Sequence, residues 1–564
     1  MEKIPYGVSN YRDLRLQNYI YIDKTRYIEL LENYSEKYIF FLRPRRFGKT
    51  LFVSLLNYYY DKKYKSEFNQ LFEDLYIGHN PTSLANSYYT LKFNFSKLNS
   101  ETKEQLLESF TESMKAGLKD FEKKYNLELD YTRQGMPSDI FNAFLVDVQY
   151  KIDGKIYVLI DEYDHFANEL LSFQIDTFNQ VISKTGFVRK WYEALKVGTE
   201  TIIDRIFATG VSPVTLDSLT SGFNIAKNKT RDKKLNEMMG FTRGELEVLL
   251  NKSLGDSLDS DELIPQLKNY YNGYLFNENA IERVFNSDMV LFYLTEFQAN
   301  DNPPADLIDT NISSDYAKIR ELFTLQNQER NLGILEDILS GKEQIAQITR
   351  EFSLAKEFTS EDFLSLLFYL GFLTIDGAVL NRVNLTVPNY AIQELYFDCF
   401  AKIIKDRMDY QLDISKIKDS IAKIALDGEI DNLIQVVEQV LSKHSNRDFN
   451  HYDEKYIKLI FLSYLFLSKV YFVKSEYEVE NGYIDIALLE RSGVEPKYEA
   501  IIELKYIKKS DYDKKGQQLV NSKLAEGKKQ ILRYKESDEL SQKDNLKKWV
   551  IVFAGSSCVG KLDL

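Results

Sequence analysis

Apolar blocks alternate with polar, turn-forming stretches along the first part of the chain, and their lengths predict strands and helices in alternation. From Lys37 to Thr50 the chain reads KYIFFLRPRRFGKT, an apolar run that passes through a basic loop into LFVSLLNYYY, whose pattern predicts a helix. Ile156 to Glu162 reads IYVLIDE, five consecutive apolar residues ending in two acids, as expected of a strand buried on both faces. Arg205 to Val211 (RIFATGV) and Ser87 to Ser96 (SYYTLKFNFS) read as further strands of the same sheet. Up to about residue 235 this alternation predicts an α/β domain.

The pattern then changes. From Phe241 to about Asn300 it is helical, with Gly273 in an aromatic-rich turn. Asp301 to about Gln344 is polar, opens with Asn302-Pro303-Pro304 and reads as a connector. Glu357 to about Ile404 has a helix, Gly371, the stretch NRVNLTVPN and another helix, which fits a small winged-helix unit. Such a unit can bind DNA or pack two domains together, and its charge does not favour the DNA role. Asp413 to Lys443 is amphipathic helix. Between Tyr471 and Lys505, three apolar-rich runs separated by polar turns predict strands, and Trp549 to Ala554 (WVIVFA) predicts one more.

The chemistry sits where these elements meet. A strand, then Gly48-Lys49-Thr50, then a helix is the order a phosphate-binding loop requires. Backbone N–H groups at the helix start face anionic oxygens, Lys49 neutralises phosphate charge and the Thr50 hydroxyl can ligate Mg²⁺. The usual pattern wants Gly at position 43, where this chain has Arg43. Arg45 and Arg46 lie in the loop, where guanidinium forks can bind phosphate or act across a subunit boundary. Asp161 is placed to hold Mg²⁺ and Glu162 to polarise the attacking water. Thr209 and Ser212, at the end of a neighbouring strand, suit a γ-phosphate sensor or plain core.

A second cluster lies near the C-terminus. Asp485 follows Gly482, and Glu503 and Lys505 are two apart on a strand, so both side chains share a face. Two carboxylates and an ammonium at one spot suit metal-assisted phosphodiester hydrolysis. Glu454 lies on the apolar segment HYDEKYIKLIFLSYLFL just upstream, and Gln530 and Tyr534 share a helix face downstream. Lys508, Lys509, Lys514, Lys515, Lys523, Lys528 and Lys529 make the stretch between basic, a face that attracts a phosphate backbone.

The strings YIDKT (Tyr21 to Thr25), RPRRFGKT (Arg43 to Thr50), LIDEYD (Leu159 to Asp164), ATGVSPV (Ala208 to Val214), GFT (Gly240 to Thr242) and YYNGYLF (Tyr270 to Phe276) resemble the bacterial AAA-ATPase-like family, whose members typically carry a C-terminal PD-(D/E)XK nuclease domain. The resemblance implies that Arg43 is a habit of the family and that the helices after Phe241 form an ATPase lid. It also implies that Glu454 is an extra metal-site acid and that Gln530 and Tyr534 resemble the QxxxY motif of RecB-like nucleases. Asn272 departs from it, standing where the family usually has Asp.

The expected architecture is therefore α/β. It has a P-loop NTPase parallel sheet over 1–235, a helical lid over 236–300, a helical connector with a winged-helix-like unit over 301–440 and a restriction-endonuclease-like α/β nuclease domain over 441–564. The expected catalytic residues are Glu162, Asp485, Glu503, Lys505 and Gln530. Arg45, Arg46, Gly48, Lys49, Thr50, Asp161 and Thr209 are expected to bind ATP, and Thr50, Asp161, Glu454, Asp485 and Glu503 to hold Mg²⁺, or Mn²⁺ at the nuclease site. Alternatives are a nucleotide-controlled binding switch that cuts nothing, or a regulatory scaffold with negligible turnover.

Composition narrows this only slightly. The net charge of −13 argues against a blanket nucleic-acid coat and for localised contact. DNA is the expected polymer, with RNA left open, and a homo-oligomer is allowed by the loop arginines. No apolar run approaches the roughly 18 residues of a membrane helix, and Cys399 and Cys558 are too few for a disulfide framework, which fits the cytoplasm. His79, His165, His444 and His451 are too scattered for a zinc cluster.

Overall fold

The computed structural model describes residues 2–564 except 100, 132–134, 166–185, 214–222, 255–259, 311–318, 324–326, 351, 353–357, 409–412, 444–452, 535–539 and 541–542, and except the side chains of 260–262 and 407–408. The expectations for Val214, Glu357, His444, His451 and part of the connector lie outside the described residues. The chain divides into two compact units. One is Met1–Ala299, Ile308–Asn331 and Glu343–Tyr390, and the other is Asn300–Leu307, Leu332–Lys342 and Ala391–Leu564.

The first unit is built on five parallel strands, β1 (Tyr38–Leu42), β2 (Tyr89–Asn94), β3 (Ile156–Asp161), β4 (Ile203–Gly210) and β5 (Lys227–Asn228), in the order β2-β3-β4-β1-β5. Every residue of β3 is buried, which explains its unbroken apolar run. Helices α1 (Lys49–Tyr60), α2 (Lys103–Tyr125), α3 (Pro137–Val148) and α4 (Phe187–Gly198) connect the strands. Trp191 of α4 anchors the core, meeting Phe93, Phe95 and Phe110 edge to face. Because β4 lies between β1 and β3, the glycine-lysine loop and the acid-ended strand end on the same edge of the sheet with one strand separating them.

Helices α5 (Arg243–Leu254), α6 (Ser260–Tyr271) and α7 (Ser287–Asn300) follow, as the helical pattern anticipates. A three-stranded sheet of β6 (Gln344–Ala346), β7 (Thr374–Val379) and β8 (Arg382–Thr386), in the order β6-β8-β7, flanks helix α8 (Ser360–Leu370). Helix α8 starts at a reciprocal cap in which Thr359 and Asp362 satisfy each other's backbone N–H groups. This winged-helix-like group packs into the first unit. The Leu275 N–H donates to Thr374 Oγ1 (2.8 Å), and a Cβ on Gly371 would lie 2.7 Å from Pro44 Cβ in the phosphate loop.

In the second unit α9 (Ile414–Asp427), α10 (Asp431–Lys443) and α11 (Glu454–Ser468) pack with a sheet of β9 (Tyr471–Val479), β10 (Gly482–Glu490), β11 (Glu499–Ile507), β12 (Leu546–Ala554) and β13 (Ser557–Asp563), paired in sequential order. Only β11 and β12 run parallel. Between them lie α12 (Lys509–Lys515) and α13 (Gln517–Tyr534). Ile531 and Tyr534 of α13 join Ile484, Ala487, Ile501 and Val550 in one apolar cluster. Among the described residues no helix is long and apolar enough to cross a membrane.

Two candidate active sites

Helix α1 begins at Lys49, with Gly48 in the left-handed region (φ +83°) as its N-cap, so the glycine turns the chain and the first helical N–H groups open onto a cavity of about 600 Å³. Gly48, Lys49, Thr50, Arg45, Glu162 and His165 all line it. Lys49 donates to the carbonyls of Arg43 (3.1 Å) and Pro44 (2.9 Å). Burial lowers its pKa, opposed by the charges of Glu162, Asp161 and Asp164.

Asp161 is buried at the end of β3, and neither carboxylate oxygen makes a well-formed hydrogen bond. Burial raises its pKa, with the Thr50 hydroxyl and Lys49 pulling the other way. A buried carboxylate left so exposed electrostatically is costly unless a cation meets it, and the Thr50 hydroxyl and Asp161 form the donor set that suits Mg²⁺. Glu162 adopts φ +52°, rare for a residue with a side chain, and its Oε2 lies 3.5 Å from His165 Nδ1.

Arg43 is turned inward and does not line the cavity. Only 1% exposed, it donates to the carbonyls of Leu42 (2.9 Å), Thr230 (2.9 Å) and Leu235 (2.8 Å), and its guanidinium lies 4.2 Å from the Phe41 ring centroid and 3.9 Å from that of Phe276. Arg46 has φ +71° and pairs with Asp288 (3.3 Å), while its carbonyl accepts from the Asp288 N–H and the Ser287 hydroxyl. The expected phosphate or cross-subunit contact of Arg46 thus competes with an internal partner at the start of α7. The Arg45 side chain lines the cavity and its carbonyl accepts from Asn286 (3.4 Å).

The sensor expectation for Thr209 and Ser212 does not match their placement. Thr209 donates to the Phe41 carbonyl (2.9 Å) within the sheet, and Ser212 sits on Asp164, which also accepts the N–H groups of Val211 and Ser212. Both hydroxyls answer buried polar groups at the strand ends, a demand that strand spacing does not reveal. Asn272 keeps its side-chain oxygen buried without a hydrogen-bond partner. Lys24, from the YIDKT string, lines the cavity and reaches both oxygens of Glu245 on α5 (2.6 and 2.7 Å). Its role could be found only by knowing that α5 returns to the N-terminal segment.

In the second unit β10 and β11 pair from Ile486↔Ile502 to Leu488↔Ala500, and beyond Ile486 they splay. Asp485 stands at the fork, where its Oδ2 accepts the Leu504 N–H (2.8 Å). Glu503 (2% exposed) and Lys505 (6%) share the face expected from their spacing, with Lys505 Nζ 2.9 Å from Glu503 Oε1. Glu503 Oε2 is buried with no hydrogen-bond partner, as is Gln530 Oε1 on α13. Glu454, in the first turn of α11, accepts the Tyr506 N–H through Oε2 (3.2 Å).

Burial raises the pKa of Asp485, Glu503 and Glu454, and for Glu503 the Asp485 charge adds to it. The Tyr534 hydroxyl is raised by burial and then by Glu503 and Asp485, which places it within their field. Among the described residues no three His, Cys, Asp or Glu side chains converge into a ready-made metal cage. Glu503 Oε2 with Asp485 nevertheless offers two hard oxygen donors, and Mg²⁺ commonly keeps several waters beside one or two carboxylates. Lys508, Lys509, Lys514 and Lys515 are exposed around α12.

The parallel sheet with its glycine-lysine loop and acid-ended strand defines a P-loop nucleotide-binding fold, and the splayed sheet bearing Asp485, Glu503 and Lys505 defines a restriction-endonuclease-like one. Residues 5–220 match the family described as AAA-ATPase-like, predicted AAA-ATPase, and residues 452–561 match the PD-(D/E)XK nuclease superfamily. The chain carries an AAA-ATPase-like domain followed by a PD-(D/E)XK domain, the layout that the sequence motifs imply. A protein of Azotobacter chroococcum mcd 1, described as uncharacterized and in the vnfD 5′ region, is 24% identical over 307 residues, covering 53% of each chain. The chain spans about half the length of this relative.

Proposed function

We propose that this protein binds and hydrolyses ATP and couples that cycle to metal-dependent cleavage of nucleic-acid phosphodiesters, DNA in the first instance. The observation that carries the reading is a repeated arrangement. In each unit a buried lysine accompanies a buried carboxylate that has an oxygen without a hydrogen-bond partner, Lys49 with Asp161 and Lys505 with Glu503.

At the first site Lys49 neutralises phosphate charge, the N–H groups after Gly48 hold phosphate oxygens and Glu162 orients the attacking water. Thr50 and Asp161 would hold Mg²⁺. At the second site Asp485 and Glu503, supported by Glu454 and Gln530, would hold Mg²⁺ or Mn²⁺, and Lys505 orients the water. The divalent ion would supply Lewis acidity and a bound water of lowered pKa. The exposed lysines of α12 attract the phosphate backbone. A cytoplasmic setting is part of the reading, and so is the possibility of self-association through Arg45.

The lack of a three-ligand cage among the described residues favours one other reading, a nucleotide-controlled switch that grips nucleic acid or a protein without cutting. One experiment separates them. Purified protein is incubated with single- and double-stranded DNA and RNA, with and without ATP and Mg²⁺, beside Lys49→Ala and Asp485→Ala. Cleavage that needs metal and Asp485 supports the nuclease, whereas binding without cleavage under every metal supports the switch.

A further inference from the structure

Beside the nuclease-like sheet lies a cation, Lys458 of α11, to which the sequence motifs assign no role. The pairs Ile484↔Tyr477 and Ile486↔Ser475 set Asp485 level with Glu476 on one side, and Ile486↔Ile502 sets it level with Glu503 on the other. Asp485 itself pairs with neither strand in the ladder, and Glu476 adopts φ +50° inside β9, a conformation that costs free energy and recurs at functional sites. Three acids therefore cross the sheet in one row. Lys505 serves the Glu503 end. At the other end Lys458, one turn into α11, hydrogen-bonds Glu476 and places Nζ 3.7 Å from Asp485 Oδ1.

Lys458 is only 12% exposed and sits between two carboxylates. Asp485 Oδ2 is already occupied by the Leu504 N–H, so Oδ1 is the oxygen left to share. Sites that use two divalent ions hold them roughly 3.5–4 Å apart with carboxylates between them. Asp485 and Glu503, whose Oε2 has no hydrogen-bond partner, would hold one ion, and a second bound to Asp485 from the Glu476 side would meet the Lys458 ammonium.

Building on the nuclease reading above, we propose that Lys458 is a resident cation that takes the place of a second divalent ion, held by Glu476, so that this site binds one divalent ion per chain. Asp485 and Glu503 then suffice as the ligands that the sheet supplies, with Glu454 in support from α11.

The test is ion stoichiometry, independent of cleavage. Nucleotide-free full-length protein is titrated with Mn²⁺ and bound ions are counted by electron paramagnetic resonance. Ions that disappear in Asp485→Asn are assigned to this site. Wild type and Lys458→Arg should each hold one such ion, and Lys458→Met should hold two, falling back to one in Lys458→Met with Glu476→Gln. Thermal melting checks that each variant is folded. Two Asp485-dependent ions in wild type, or one in folded Lys458→Met, overturns the proposal while leaving the nuclease reading standing. No Asp485-dependent ion in wild type overturns both.

Discussion

The Arg43 guanidinium stacks 3.9 Å from the ring centroid of Phe276 and ties the strand before the phosphate loop to the NGYLF segment beyond the sheet. It is a buried cation whose named partners are carbonyls and aromatic faces, and burial lowers its pKa well below the usual guanidinium value. Restoring the usual loop residue with Arg43→Gly should therefore harm the protein. The carbonyls of Leu42, Thr230 and Leu235 would lose their donor, at about 1–3 kcal/mol for each group left buried and unsatisfied. Thermal denaturation and ATP-analogue binding should both weaken, and an unchanged melting profile would contradict this assignment.

Lys49→Ala should lower ATP turnover by roughly 100- to 1,000-fold, the usual scale for removing one preorganised charge from a transition state. The fold should survive, because Lys49 contributes two hydrogen bonds to loop carbonyls that the cavity can hydrate. Phosphate release measured beside circular dichroism checks both halves of the expectation.

Without metal, Glu503 is pushed up to about 7 by burial and by the Asp485 charge. The raised value means that its contribution to stability is present below the ordinary carboxylate range and is lost as pH rises through about 7. Divalent ions need the ionised form. Their apparent affinity should fall as pH drops from 8 to about 6, by up to about tenfold for one proton per ion over one pH unit. The Mg²⁺-induced rise in melting temperature should accordingly be larger at the higher pH and nearly flat in Glu503→Gln.

Gly273 has φ +106°, and a Cβ there would lie 1.9 Å from the Pro388 carbonyl oxygen. Gly273→Ala should destabilise the first unit by at least the roughly 1–3 kcal/mol of an unfavourable backbone, with the steric overlap added. Limited proteolysis should then cut near the turn before α7 at lower protease concentration than in wild type.

The loop, the acid-ended strand and the E-x-K pair were legible because each is contiguous. Their chemistry follows from a few neighbouring residues and the strand and helix periods. Asp485 taken alone was a weaker signal, since its partners are the Leu504 N–H on the next strand and Lys458 on a helix. Thr209 and Ser212 stayed open between sensor and core for the converse reason, as a small hydroxyl near a strand end looks the same whether it faces a phosphate or a buried carbonyl.

Local order along the chain thus determined the two kinds of site, the residues that can carry charge at each and the α/β class that presents them. Tertiary packing alone decided which way those residues face. It turned Arg43 inward onto carbonyls from positions 230 and 235, gave Arg46 a partner in Asp288, and set Glu476, Asp485 and Glu503 in one row with Lys458 between two of them. Side-chain direction depends on strand register and on the desolvation of groups brought from far along the chain, and neither quantity is encoded in the residues adjacent to a motif.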